Sequence, residues 1–335
     1  MPETADTAPR VLVIGAGVAG LAVATVLAER GAAVMVLHRP EPASRASHVA
    51  GGMLAPWCEA ADAPPALVAP GAAAIGWWAA RVPGTLRRGS LLLAARRDRG
   101  ELDRFARRTT GHRRCDAAAI AALEPELEGR FADGLFFPEE AHLDPRAALQ
   151  SLAGVLEGRG AVFREGDFRE ADAAGFDHVV DCRGHAAAAA LPDLRGVRGE
   201  MLLLRCPGLS LSRPVRLLHP RIPLYVVPRG EGLFMVGATM IESAGRHAIT
   251  ARSAMELLNG AYALHPAFGE AEILEAASNI RPAFPDNMPA LRRDGCVLRV
   301  NGMFRHGFLL SPSLAEQVAA AVFGISTPGL PGEAA

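Results

Sequence analysis

The chain has 335 residues, half of them apolar, and a formal net charge of −1. That length predicts about two domains, and the balanced charge excludes a polybasic nucleic-acid or membrane-surface binder. All 35 basic residues are arginine, so a lysine Schiff base is impossible and pyridoxal-phosphate enzymes and class I aldolases are excluded.

No apolar run approaches the roughly 20 residues that span a bilayer. The polar segment Met1–Pro9 lacks a basic stretch followed by an apolar core, so no signal peptide is expected. The five cysteines, Cys58, Cys115, Cys182, Cys206 and Cys296, are scattered and form no CxxC pair. A reduced cytoplasmic protein without a zinc site or a disulfide framework is the simplest reading.

In chain order, Arg10 to Ile14 reads as a buried strand and Leu21 to Arg30 as an alanine-rich helix stopped by Gly31. Val34 to Leu37 is a second strand. Pro64 to Trp78 holds helical stretches that Pro70 and Gly71 should break. Ser90 to Ala95 reads as a strand, and Arg99 to Arg108 and Ala117 to Leu123 as short helices. Asp144-Pro145 pairs a capping residue with a first-turn proline and opens a helix to about Glu157. Ala161 to Arg164 and His178 to Cys182 are strands. Then the texture changes. Met201–Arg205, Val215–Leu218, Leu224–Val227 and Phe234–Val236 are short strands separated by Pro and Gly, which predicts an antiparallel sheet. A helix over Ala251–Leu264, a strand over Val297–Val300 and a helix over Ser311–Phe323 complete the chain.

The fold class is therefore α/β plus α+β, a Rossmann-type nucleotide domain interleaved with an antiparallel-sheet domain. Residues 8–83, 139–194 and 285–328 are assigned to the first, and residues 84–138 and 195–284 to the second.

Gly15-Ala16-Gly17-Val18-Ala19-Gly20 is a GxGxxG pattern that follows a strand and opens a helix, the context in which it binds dinucleotides. Gly15 allows the tight turn, Gly17 lets backbone approach a pyrophosphate, and Gly20 lets helix and strand pack closely. The helix N-terminus, with Val18 and Ala19, supplies amide donors and a positive dipole end. The acid expected at the end of the second strand is replaced by His38, with Arg39 beside it. A histidine can bond a ribose hydroxyl, and an arginine fits a 2′-phosphate, so the fingerprint leaves FAD and NAD(P) open.

The segment Ala46-Ser47-His48-Val49-Ala50-Gly51-Gly52-Met53-Leu54-Ala55-Pro56 resembles the loop after the second strand, which runs under the flavin, in the D-amino-acid oxidase superfamily. Its Gly-Gly-Met-Leu-Ala-Pro form is most similar to the glycine oxidase branch of the thiamine pathway. Val180-Asp181-Cys182-Arg183-Gly184, Arg198-Gly199-Glu200-Met201, Tyr225 to Arg229, Val236 to Met240 and Asn301 to Leu310 agree. The resemblance spans residue 10 to about 323 and implies FAD rather than NADP. Small residues suit such a loop because only they let backbone approach a flat ring. By resemblance, the cofactor-binding set is Gly15, Gly17, Val18, Ala19, Gly20, His38, Arg39, Arg45, Ala46, Ser47, Gly51, Gly52, Met53, Leu54, Gly184, Arg305, His306, Gly307, Phe308 and Leu309.

Also by resemblance, Arg281, in Asn279-Ile280-Arg281-Pro282, grips the substrate carboxylate. A guanidinium is planar, permanently charged and bidentate toward carboxylates; the ordinary alternative is one surface arginine among many. Tyr225, one of two tyrosines, would donate to the same carboxylate, against the commoner fate of a half-buried sheet tyrosine. Arg305 would border substrate and flavin. Met240, at the end of the Gly-Ala-Thr-Met strand, would line a small pocket, or simply fill the core.

What the resemblance implies is FAD-dependent oxidation of glycine by O₂ to its imine or glyoxylate, with release of H₂O₂. The imine would supply a thiazole synthase. FAD is expected to be non-covalent, because Cys296 lies outside the context in which relatives tether it. A homo-oligomer is left open. The competing readings are a sister amine oxidase or dehydrogenase acting on sarcosine, D-amino acids or proline, a non-catalytic flavin- or nucleotide-binding protein, and an NADP-dependent reductase. The ten histidines form no metal motif. Trp77-Trp78 reads as a packing pair, and the arginine pairs at 87–88, 96–97, 107–108 and 113–114 as solvated faces.

Overall fold

The structure is a computed structural model that describes residues 8–41, 45–218 and 224–325. Two compact units divide the chain: Met1–His48, Arg146–Gly196 and Arg281–Ala335 form one, and Val49–Pro145 and Val197–Ile280 the other.

The first unit is built on a six-stranded sheet in the order Ala290–Asp294, Val297–Asn301, His178–Asp181, Arg10–Ile14, Ala33–His38, Val162–Glu165. All pairs are parallel except the first, which is antiparallel. Val11, Leu12 and Val13 are fully buried, as expected of a parallel strand covered on both faces, which must be apolar on both. The helices Val18–Glu29 and Gly307–Phe323 pack against each other. Both are apolar around most of their circumference, which marks a buried helix rather than a surface one. The first ends as expected: Gly31 follows the cap in the left-handed region, at φ 92°. The last begins at Gly307, earlier than the expected Ser311, and takes Pro312 into its interior. Asp181, 1 % exposed, joins neighbouring strands by accepting from Arg183 at 2.7 Å and Arg299 at 2.9 Å.

The second unit carries an eight-stranded sheet in the order Glu272–Ala283, Arg195–Arg205, Leu233–Gly237, Leu224–Pro228, Val215–Leu218, Ser90–Ala94, Asp133–Phe137, Arg113–Asp116. It is mixed rather than purely antiparallel, because Val215–Leu218 runs parallel to Ser90–Ala94. Alternation sorts its two faces. Leu202, Val236, Val226, Val215 and Leu91 point to one face, and they pack with Leu257, Ala261 and Leu264 of the helix Ala251–Leu264. Met201, Gly237, Tyr225, Arg216 and Leu92 are in register on the other.

Residues 49–83 fall in the second unit, whereas the sequence assigned them to the nucleotide domain. Met53–Leu54 pairs with Ala141–His142, and Ala55, Cys58 and Ala61 pack against Leu92, Phe105 and Phe137. Pro70 and Gly71 do not break the helix Val68–Arg81. They sit in its first turn, where an amide has no intrahelical partner to lose. The strand Glu272–Ala283 does not show in the periodicity because it is an edge strand that passes from exposed residues at its start to buried ones at its end, with a mixed composition; its Pro282 is tolerated at an edge.

One buried group stands out energetically. Glu140 is fully buried, and its Oε1 accepts the Cys58 amide at 2.8 Å. Burial pushes its carboxyl up to about 7, opposed by that amide and by the charge of Arg216. An acid raised in the folded state favours folding fully only below its unfolded pKa, and that contribution is lost as pH rises through the folded value. Stability should therefore fall as pH rises from about 4.5 to about 7, by up to roughly 3 kcal/mol, with a matching fall in Tm. Glu140→Gln should flatten this decline in thermal unfolding; parallel wild-type and variant profiles would assign the effect elsewhere.

Candidate active site

The turn after the first strand has the geometry that dinucleotide binding requires. Gly15 has φ 106° and donates to Leu37 O at 2.8 Å. A Cβ on Gly20 would stand 1.8 Å from Gly15 O, so only glycine lets the helix start this close behind the strand. Gly17 caps the helix without a side-chain bond, and no acid occupies the first turn. Ser47, from the 3₁₀ turn Ala46–Val49, accepts the Val18 amide at 2.9 Å. The sequence-selected Gly15, Gly17, Val18, Ala19, Gly20, Ala46 and Ser47 thus meet at one helix N-terminus, where amides and dipole favour a phosphate.

His38 ends the second strand. Its Nδ1 lies 2.8 Å from Arg39 O and 3.2 Å from Arg45 Nη2. Arg39 is paired with Asp167 at 2.5 Å, and burial lowers the Arg45 pKa against the opposing charge of Glu165. Both cations beside His38 have a carboxylate nearby, which does not suit a 2′-phosphate.

Beside the Gly15–Gly20 turn in the first unit, Gly184, Arg281, Arg305 and His306 are carried by three segments that are bonded together. Phe304 donates to Pro282 O at 2.7 Å, and Asn301 Nδ2 donates to Gly184 O at 3.0 Å. His306 donates to Met303 O at 2.7 Å and accepts from Leu310 at 2.8 Å, which starts the final helix. Gly307 packs on Val18, so the last helix begins beside the first. Phe308 and Leu309 are buried in its first turn.

In the second unit, Tyr225 is half-buried on the strand Leu224–Pro228. Its ring is close to two glycines: a Cβ on Gly51 would meet Tyr225 Cε2 at 2.9 Å, and one on Gly237 at 3.1 Å. The Gly51–Gly52 loop is held by Arg229, whose Nη2 donates to Gly51 O at 2.8 Å and Nη1 to Leu143 O at 2.9 Å. Met53 and Leu54 continue it as a short strand. Met240 lies past the end of the strand Leu233–Gly237, not on it, and is 56 % exposed. Its alternative as core filler is removed, and its exposure does not by itself make it a pocket wall.

Sequence reasoning passed over two residues that hold this geometry, Arg229 and Asn301. Each stood inside a quoted motif, but its signal is a set of bonds to backbone carbonyls that no pattern displays. The arginine pairs at 87–88, 96–97, 107–108 and 113–114 are exposed, as expected. Trp77 and Trp78 meet edge to face at 4.8 Å.

Residues 10–321 match the family described as FAD dependent oxidoreductase, DAO. A Rhizobium etli protein, provisionally named thiamine biosynthesis oxidoreductase ThiO, is 55 % identical over 92 % of this chain and 95 % of its own. A bifunctional ThiO/ThiG protein from a Nostoc species is 28 % identical over 92 % of this chain and 52 % of its own length. Glycine oxidase of Geobacillus kaustophilus is 28 % identical over 92 % and 91 % of the two chains. A crystal structure of glycine oxidase from that organism superposes with a TM-score of 0.80, covering 95 % and 96 %, at 23 % identity.

The first-turn amides, the left-handed Gly15 and the close Gly20 contact fit a dinucleotide such as FAD. Gly20→Ala should force helix and strand apart and weaken FAD binding by roughly tenfold, the scale of an overpacked contact. Flavin fluorescence on titrating the apoprotein measures this; an unchanged Kd would place the pyrophosphate elsewhere.

Proposed function

Because the chain belongs to the FAD dependent oxidoreductase (DAO) family, we propose that it oxidises glycine to its imine, which hydrolyses to glyoxylate, with O₂ as acceptor and H₂O₂ as by-product. The observation that carries this reading is the 55 % identity, over nearly the whole of both chains, to the Rhizobium ThiO protein. The glycine oxidases and the ThiO/ThiG fusions among its relatives point the same way. In this reading the imine feeds a thiazole synthase in thiamine biosynthesis.

When bound, FAD supplies the two-electron acceptor for the substrate's α-hydrogen. The amides at the start of the helix Val18–Glu29 would hold its pyrophosphate, and His38 would lie at the ribose. By the family resemblance, the small residues Gly51 and Gly52 would let backbone approach the flavin ring, and the segment Arg305–Leu309 with Gly184 would also border it. Arg281 binds the substrate carboxylate through its planar fork, and Tyr225 donates to the same group. Arg305 adds positive potential at that end, and Met240 limits the room for a substrate side chain.

Fixing the carboxylate fixes Cα, so the α-hydrogen is presented in a near-attack geometry and the entropic part of the barrier is met on binding. The amine reacts as the neutral form, and none of these roles requires a side-chain base. The FAD is held non-covalently: four of the five thiols are buried and Cys296 precedes the strand Val297–Asn301 on an exposed turn. All five are unpaired, which suits a reducing cytoplasm. No helix among the described residues is long and apolar enough to cross a membrane.

Steady-state H₂O₂ release with glycine tests the reading. Arg281→Met should raise KM for glycine on the order of a hundredfold, the loss expected for a charge-assisted bidentate pair, while FAD stays bound. Arg281→Lys should recover only part, because a point charge lacks the fork. Wild-type kinetics in Arg281→Met would remove the carboxylate role.

A further inference from the structure

Asn301 is the last residue of the strand Val297–Asn301 and is 1 % exposed. Both ends of its amide are used inside the protein. Nδ2 donates to Gly184 O at 3.0 Å, and Oδ1 accepts the Gly302 amide at 2.9 Å. Gly184 opens the turn after the pair of the buried Asp181 with the part-exposed Arg183. Gly302 opens the short loop that ends in Arg305. Within that loop Phe304 donates to Pro282 O at 2.7 Å, directly after Arg281. A Cβ on Gly184 would also meet Pro282 Cγ at 3.7 Å. The three segments that carry Gly184, Arg281 and Arg305 therefore converge on one buried carboxamide and the loop it anchors.

We infer that Asn301 is a positioning residue that sets where Arg281 and Arg305 present their guanidinium groups to the substrate carboxylate. The inference rests on the carboxylate-binding reading of those two arginines. The amide is consumed by backbone partners, so Asn301 acts through the loop and not by touching substrate. Few side chains can replace it. The site asks for a donor toward one carbonyl and an acceptor for one amide a few ångströms apart, in a volume closed to water, and Asn supplies both. Asp keeps the acceptor but turns a second oxygen toward Gly184 O. Ala leaves both backbone groups without their partner.

The test uses holoenzyme at saturating FAD and reads the Kd of glycolate, a carboxylate without an amine, from the change it causes in the flavin absorption band. Thermal unfolding is followed in parallel. N301D and N301A should each weaken glycolate binding by roughly tenfold, as expected when an oriented binding group loses one buried hydrogen bond, with the flavin still bound. N301A serves if the buried charge keeps N301D from folding. A lowered Tm with wild-type glycolate affinity in the folded variants would overturn the inference and leave Asn301 a stability residue. R281M, run alongside, separates the two ideas. Wild-type glycolate affinity in R281M overturns the carboxylate reading itself. A normal loss in R281M with no loss in N301D or N301A overturns only the role of Asn301.

Discussion

The first unit depends on a single close approach. The helix Val18–Glu29 starts so tightly behind the strand Arg10–Ile14 that Gly20 has no space for a Cβ beside Gly15 O. That contact fixes the direction of the helix axis and therefore where its first-turn amides point. It also fixes the surface on which the final helix begins, since Gly307 packs on Val18. The segment carrying Arg305 and His306 leads directly into that final helix. The Gly15–Gly20 turn and the loop that carries Arg305 are thus coupled through one pair of packed helices, and the coupling is made by absence of side chain more than by any attraction.

The second unit solves a different problem, a half-buried tyrosine on a sheet face. Tyr225 is in register with Gly237 on one side and Arg216 on the other. Glycines at 51 and 237 let its ring lie against backbone, and Arg229 holds the Gly51 carbonyl. Arg216 is itself nearly buried and paired with Glu59 at 3.1 Å. Its charge is therefore largely spoken for, and Tyr225 is a further polar group on this face.

Much of this was legible in the sequence, and the reasons differ by element. The parallel strands and the first helix announce themselves because both faces are buried and the glycine spacing is dictated by close packing. Tyr225 and Arg281 were found through resemblance and not through physics, since an arginine before a proline has many uses. The strand Glu272–Ala283 that carries Arg281 was missed because an edge strand that passes from exposed to buried residues shows no period of two. The mixed character of the second sheet was missed because pairing direction is a long-range property: Ser90–Ala94 and Val215–Leu218 are far apart in sequence. Residues 49–83 lie with the second unit for a related reason. Their motif contacts the cofactor in the family they resemble, but their apolar side chains pack with Leu92 and Phe137. Asn301 and Arg229 were hidden because their work is done on carbonyls, which have no letter in a sequence.

The measurement that bears most directly on the account is anaerobic. Purified holoenzyme is mixed with excess glycine and the flavin absorption band is followed, then air is admitted. The account predicts that glycine bleaches the band, and that colour returns with release of H₂O₂. A band that ignores glycine but bleaches with sarcosine, D-alanine or D-proline would contradict the glycine assignment and move the substrate to a sister amine, with the fold unchanged.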